Sequence, residues 1–167
     1  MAASAELEIS PARPADVPGI VDLQEKNLRK NGGTLSVPFA SDWFLAAIAD
    51  MPIIVARRAG EVVGYLVSCP FAAQMHSPII RAMLGAYPGA PGAYNYGPIC
   101  VDASERGKGV AAAMFAELRR RLPRREGVTF VRRDNAVSLA VHTKLGMREV
   151  AAFTVDGIVF VVLAYEG

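Results

Sequence analysis

The chain has 167 residues, 52% of them hydrophobic and 20% charged, with a net charge of +2. This length fits one domain over residues 1–167 and can bury a core unaided, and the composition excludes a disordered tail. The charge is too small to indicate nucleic-acid binding by itself. The longest apolar run, residues 158–165, is too short to span a membrane, and the N-terminus does not resemble a signal peptide. We therefore expect a cytoplasmic protein.

Strands and helices are predicted along most of the chain. The strongest local signals are the turn pairs Ala59-Gly60 and Asp156-Gly157, each of which joins two apolar runs into a hairpin. In chain order the predicted elements are a strand over 7–10, a helix from an Asp16 cap to before Asn31-Gly32-Gly33, a helix from a Ser41 cap, strands over 53–57, 62–68 and 96–101, a helix over 109–122, a strand over 128–131, a helix over 136–145, and strands over 147–155 and 158–165. Hairpins on both sides of a strand–helix–strand unit require a mixed sheet.

The segment from residue 70 to residue 97 interrupts this pattern with prolines and glycines, and it contains three of the five tyrosines. Residues 78–84 are compatible with a short helix that has proline in its first turn. One interpretation is a long surface connection, and the other is a loop that shapes a binding cavity. The segment is too broken for core packing on either interpretation.

The clearest chemical signal lies between the fourth strand and the helix that follows it, in Arg106-Gly107-Lys108-Gly109-Val110-Ala111. A helix N-terminus carries free N–H groups and a partial positive charge, and two glycines allow the backbone to wrap around an anion. The pattern therefore predicts a phosphate or pyrophosphate site, with an ordinary glycine turn as the alternative. It also fits a dinucleotide-binding fingerprint, but it begins too far beyond its strand and too late in the chain for that fold.

Two motifs resemble those of the GNAT superfamily of acetyl-CoA-dependent N-acetyltransferases. Arg106, Gly109 and Ala111 match the family's first motif, which reads Arg or Gln, two residues, Gly, one residue, then Gly or Ala. The second motif departs from the family at two places, with His142 in place of Tyr and Met147 in place of Phe. The positions that keep the second motif are Asn135, Ser138, Lys144, Leu145 and Gly146.

The resemblance implies an α/β (α+β) fold with a mixed, mostly antiparallel sheet of about seven strands and about four helices. The sheet of this family is splayed between its fourth and fifth strands. The resemblance also implies acetyl-CoA as co-substrate, an amine acceptor and no metal. The residues implied to bind the cofactor are Ile99, Cys100, Val101, Arg106, Gly107, Lys108, Gly109, Val110, Ala111, Asn135 and Lys144.

The candidate catalytic residues are His142 and Tyr96. By resemblance His142 is the general acid that reprotonates the CoA thiolate, and a structural histidine is the alternative. An amine acceptor must also lose a proton, and the fourth strand carries no Glu, so we expect a water relay through Tyr94, Tyr96 or a carbonyl. The predicted acceptor pocket is walled by Trp43 and Phe44 of the second helix together with Tyr94 and Tyr96.

Two functions remain open. The first is an N-acetyltransferase that moves an acetyl group to a primary amine of a small molecule or peptide in a ternary complex. The alternative is a non-catalytic acyl-CoA-binding module that serves regulation or assembly. An acetyl-Cys100 intermediate is a weaker idea, because nothing nearby in the sequence lowers the pKa of this thiol. We expect neither a nucleic-acid nor a membrane partner, and a homodimer stays open.

Overall fold

A computed structural model describes residues 5–35 and 38–167 of the chain. By its internal contacts the chain divides into two compact units, which are described separately. Unit 1 comprises Met1–Ser68 and Gly97–Arg121, and unit 2 comprises Cys69–Tyr96 and Leu122–Gly167. The strands are β1 Leu7–Pro11, β2 Ile54–Arg58, β3 Glu61–Cys69, β4 Tyr94–Val101, β5 Gly127–Arg132, β6 Arg148–Val155 and β7 Ile158–Tyr165. The helices are α1 Val17–Lys26, α2 Ser41–Asp50, α3 Pro78–Ala86, α4 Val110–Arg121 and α5 Ala136–Lys144.

The strands form one seven-stranded sheet in the order β1-β2-β3-β4-β5-β7-β6. Its pairs β1–β2, β2–β3, β5–β7 and β6–β7 are antiparallel, whereas β4 and β5 are parallel. The parallel register joins Tyr94 to Gly127 and Asn95 to Val128, at the start of both strands. The mixed, mostly antiparallel sheet predicted from the sequence is therefore confirmed.

Unit 1 packs α1 and α2 over a core drawn from the first three strands. Ile20, Phe44 and Val55 are fully buried members of this core. The β2–β3 hairpin turns at Ala59 and Gly60, whose φ angles of 52° and 79° are both positive. Two successive left-handed residues match the right-handed twist of the flanking strands. Gly60 adopts this conformation without strain and Ala59 at a cost, and the turn lies where the sequence predicted it.

The two predicted helix caps differ from the structure in a physically informative way. Asp16 stands at the N-cap position of α1 but makes no capping bond with its side chain. Its carboxylate instead accepts hydrogen bonds from the Arg13 N–H, at 2.7 Å, and from the buried guanidinium of Arg57. Ser41 is the first residue of α2 and not its cap, which is Ala40. A buried cation thus outcompetes the helix terminus for the Asp16 carboxylate.

Unit 2 contains α3, so the structure has five α-helices among its described residues where about four were predicted. The helix begins at Pro78, as the sequence indicated. The structure adds Ser77 as its N-cap, and the helix buries Ile80 and Met83. The prediction that this segment is too broken for core packing was therefore wrong. Glu126 fixes the turn after α3, because its carboxylate accepts hydrogen bonds from the Tyr87 hydroxyl at 2.8 Å and the Ala90 N–H at 2.9 Å.

The second hairpin, β6–β7, turns at Asp156 and Gly157, both with positive φ, as the sequence predicted. Among the helices of the described part of the chain, none combines the length and apolar character needed to cross a membrane.

Candidate active site

The loop before α4 forms an open backbone cradle in unit 1. Gly107 and Gly109 have φ angles of +75° and +80°, a region that favours glycine. A Cβ at either position would meet nothing within 4 Å, so open space lies in front of both residues. The cradle opens onto the N-terminus of α4, which begins at the buried residue Val110. Free N–H groups, a helix N-terminus and open space together suit an anion such as a phosphate.

The carboxylate of Glu105, next to this cradle in the chain, binds Arg58 closely and Lys108 only loosely. The buried Glu105 accepts two hydrogen bonds of 2.9 Å from the Arg58 guanidinium. Lys108 lies farther away, with its Nζ 3.9 Å from Glu105 Oε2, and more than half of its side chain is exposed. Hydrogen bonding to Arg58 holds the pKa of Glu105 below its ordinary value, so the carboxylate is charged near neutral pH.

Arg106 is held differently, by neutral oxygen atoms. Its Nη2 donates to Asn27 Oδ1 at 2.7 Å, and its Nε donates to the Val101 carbonyl at 3.2 Å. The residue itself is exposed at the edge of the cradle. Within the described residues the salt bridges place no carboxylate against it. Its charge is therefore available to an anion that enters the cradle.

The end of β4 leads into this cradle. Ile99 and Val101 are half-buried and Cys100 is buried. Burial raises the pKa of the Cys100 thiol to about 12, even though the charge of Arg106 acts in the opposite direction. At neutral pH this thiol is almost entirely protonated, which argues against a role as an acyl carrier.

His142 lies in unit 2 on the last turn of α5, and it is 4% exposed. Its Nδ1 is 2.7 Å from the carbonyl oxygen of Ser138. A carbonyl oxygen can only accept, so Nδ1 carries the hydrogen and the neutral ring keeps its lone pair on Nε2. Burial lowers the pKa of His142 below 6.5, and the hydrogen bond to Ser138 offsets only part of that shift.

Tyr96 packs edge-on against His142, with ring centroids 5.5 Å apart. It also contacts Tyr165, which in turn contacts Tyr94, so these four rings form a continuous group within unit 2. Burial raises the pKa of the Tyr96 phenol well above its ordinary value, so the hydroxyl stays protonated at neutral pH. Tyr94 is fully buried.

The remaining predicted site residues fall into both units. Asn135 caps α5, because its Oδ1 accepts from the Ser138 N–H at 3.1 Å, and Lys144 is exposed in the last turn of the same helix. Trp43 is half-buried in unit 1, stacked on Phe39 with ring centroids 4.1 Å apart. Phe44, beside it, is fully buried in the core.

Two residues, Asn27 and Ser138, contact predicted site residues in a way that the sequence analysis did not predict. Asn27 contacts Arg106 across 79 positions of the chain, and nothing local in the sequence signals such a pair. Ser138 matches the second motif, but its carbonyl was not expected to set the protonation of His142. A spacing of four residues in a helix is the signal that could have shown this contact. Between residues 5–35 and 38–167, no group of three or more His, Cys, Asp or Glu side chains is arranged to hold a metal ion.

Comparison with known proteins identifies the family of this chain. The profile of the Acetyltransferase (GNAT) family matches residues 18–147, so the chain belongs to this family. No curated protein sequence matches the chain.

Solved structures share the fold at low sequence identity. An N-acetyltransferase from Staphylococcus aureus Mu50 superposes with a TM-score of 0.69 at 20% identity, over 97% of this chain and 99% of that one. The structure of yncA from Salmonella typhimurium with its cofactor acetyl-CoA superposes with a TM-score of 0.67 at 17% identity, over 97% of this chain and 94% of that one. The ribosomal-protein-S18-alanine N-acetyltransferase from Escherichia coli superposes with a TM-score of 0.66 at 15% identity, over 96% of this chain and 94% of that one.

Proposed function

We propose that this protein is an N-acetyltransferase that moves the acetyl group of acetyl-CoA directly to a primary amine in a ternary complex. The observation that carries the proposal is the open glycine cradle at the start of α4, with the charge of Arg106 at its edge. The family to which the chain belongs is defined by acetyl transfer.

The residues of the cradle fit the pyrophosphate of CoA. The N–H groups of residues 106–111 and the N-terminus of α4 supply donors and positive potential, and Arg106 and Lys108 add full charges. The backbone of residues 99–101 would accompany the pantetheine arm, because this stretch of β4 leads directly into the cradle. When bound, acetyl-CoA supplies a thioester carbonyl that an amine can attack, with the thiolate as the leaving group.

We propose for His142 a role that differs from the general acid implied by the resemblance. The Nδ1 hydrogen bond to the Ser138 carbonyl and the lowered pKa favour a neutral imidazole with its lone pair on Nε2, which suits a base. We propose that Nε2 accepts the proton that the amine loses. The same proton can then pass to the thiolate sulfur, which balances the reaction and returns His142 to its neutral form. Tyr96, protonated and in contact with this ring, is the proposed hydrogen-bond donor beside it.

The acceptor class is open between small amines and peptide N-termini. The Escherichia coli neighbour is named for an alanine of ribosomal protein S18, which makes a peptide α-amine one reasonable candidate. Trp43 is the predicted acceptor residue whose side chain is partly accessible, whereas Phe44 and Tyr94 are fully buried. We therefore assign the aromatic wall of the acceptor site to Trp43 and the Phe39 ring that stacks on it.

A non-catalytic acyl-CoA-binding module is the second candidate. One observation favours it, namely that the strand β4, YNYGPICV, contains no carboxylate that could serve as a base. A base at His142 removes the need for one, and for that reason we favour the enzyme.

Incubation with acetyl-CoA and two pools of amines, small molecules and short peptides, separates these two functions. Free CoA thiol would be followed with a thiol reagent and acetylated amines by mass spectrometry. Both cysteines of the chain are buried, which keeps the background of the thiol assay low. We expect amine-dependent thiol release that drops in a His142→Ala variant. CoA binding without thiol release in any pool would support the binding module instead.

A further inference from the structure

We propose that Asn27 is a positioning residue that holds the Arg106 guanidinium at the cradle while leaving its positive charge available to the cofactor's phosphates. The proposal rests on the proposed function, because it assigns a role within the same CoA site. It concerns a residue outside both sequence motifs, at the end of α1.

The contacts around Asn27 explain how it can orient Arg106. Its side chain is buried, and the residue is 8% exposed. Its Nδ2 donates to the Leu23 carbonyl at 2.8 Å, which fixes the amide so that Oδ1 points to Arg106 Nη2 at 2.7 Å. Since the Val101 carbonyl accepts from Nε of the same guanidinium, two fixed oxygen atoms determine its orientation. The remaining N–H groups are left for another acceptor.

The backbone of Asn27 is fixed as well. Its carbonyl accepts a hydrogen bond of 3.0 Å from the Leu35 N–H, and the Gly33 N–H bonds to the neighbouring Leu28 carbonyl at 2.9 Å. A Cβ at position 33 would lie 1.9 Å from the Asn27 carbonyl oxygen, so only glycine permits this close approach. The short strap from residue 28 to residue 35 thus holds the backbone of Asn27 in place.

The Asn27 amide is neutral, and this distinguishes it from a carboxylate at the same position. A carboxylate would also orient a guanidinium, but it would neutralise the charge, as Glu105 does for Arg58. Asp102 is close enough for the charge of Arg106 to lower the pKa of its carboxyl, yet its Oδ1 is occupied by the N–H and hydroxyl of Ser104. An amide oxygen orients Arg106 and cancels none of its charge. This arrangement suits a site in which the missing counter-charge is a phosphate.

A double-mutant cycle tests the proposal, with CoA as the probe and calorimetric titration as the measurement. The variants are Asn27→Leu, Arg106→Ala and the combination of both. We expect Asn27→Leu to weaken CoA binding about tenfold, near the lower end of what a lost hydrogen bond to a charged group costs. In the Arg106→Ala background the same change should have almost no effect, because Asn27 acts only through Arg106.

Asn31→Leu is the matched control. Its Nδ2 also donates to a carbonyl of α1, that of Glu25, at 2.7 Å, but it does not contact Arg106. We expect this variant to bind CoA as the wild type does. If Asn27→Leu fails to fold, Asn27→Asp replaces it, because it keeps the size and the acceptor but adds a negative charge. We expect the aspartate to weaken CoA binding, since its charge competes with phosphate for Arg106.

The outcomes are distinct. Wild-type affinity in Asn27→Leu or Asn27→Asp, or a double variant whose loss equals the product of the two single losses, overturns the role of Asn27 and leaves the proposed function standing. Wild-type protein that does not bind CoA refutes the proposed function and this inference with it.

Discussion

Replacement of Gly109 by alanine tests whether the cradle is a ligand site. Gly109 has φ +80°, and a Cβ there would meet no atom within 4 Å. The substitution therefore causes no clash in the protein, and its cost to stability is the left-handed backbone penalty of about 1–2 kcal/mol. The loss of chain entropy in the unfolded state offsets part of this cost. We expect the free energy of unfolding to fall by about 1 kcal/mol.

Gly60 supplies a control with the same backbone strain. It has φ +79°, it also has nothing within 4 Å of its Cβ position, and it lies in the β2–β3 turn. Gly60→Ala and Gly109→Ala should therefore lose similar stability in chemical denaturation. CoA affinity should fall at least tenfold, about 1.4 kcal/mol, in Gly109→Ala alone, because the added methyl occupies the space that a phosphate needs. Equal CoA affinity in the two variants would refute the assignment of the cradle.

Three further predictions concern catalysis, acceptor binding and stability. His142→Gln should lower kcat at least about tenfold. In the wild type, kcat/KM should fall only below pH 6.5, because the lowered pKa keeps His142 unprotonated down to that range. This acidic limb should be absent in His142→Gln. Trp43→Ala should raise the KM of the acceptor amine while leaving that of acetyl-CoA almost unchanged. Asp16→Asn should lower the free energy of unfolding by about 3 kcal/mol because it leaves the buried Arg57 guanidinium without its main counter-charge, whereas Glu25→Gln, in an exposed pair, should cost under about 1 kcal/mol.

The Asp16 pair also predicts how stability depends on pH. Burial alone would raise the pKa of Asp16, but hydrogen bonds and charge from Arg57, together with Arg13, hold it below the ordinary value of 3.8. The stabilisation is therefore complete above that pH and is lost as the pH falls through the lower, folded-state pKa. In Asp16→Asn this acid-induced loss should shrink. An unchanged acid denaturation curve would contradict the role of the Asp16–Arg57 pair. An unchanged pH profile in His142→Gln would contradict the role of His142. Equal KM shifts for the amine and for acetyl-CoA in Trp43→Ala would contradict the role of Trp43.

The sequence by itself determined the features that local chemistry controls. Pairs such as Asp156-Gly157 define hairpin turns because few residues tolerate positive φ. The glycines at 107 and 109 define the cradle for the same reason, and the alternation of strands and helices follows from apolar periodicity. These preferences act over a few residues and can therefore be recognised in the amino-acid sequence.

The tertiary structure decided which partner each polar side chain finds. Asp16 looked like a helix cap, but a guanidinium 41 positions away is a stronger partner for a carboxylate than a helix terminus. Asn27 could not be assigned to the cradle, because its contact with Arg106 exists only once the end of α1 lies against the loop before α4. The depth of burial of His142 sets the direction of its pKa shift, and burial is a property of the packed fold. Hydrogen bonds and desolvation depend on distances in space, and the partners of Asp16 and Asn27 lie 41 and 79 positions away along the chain.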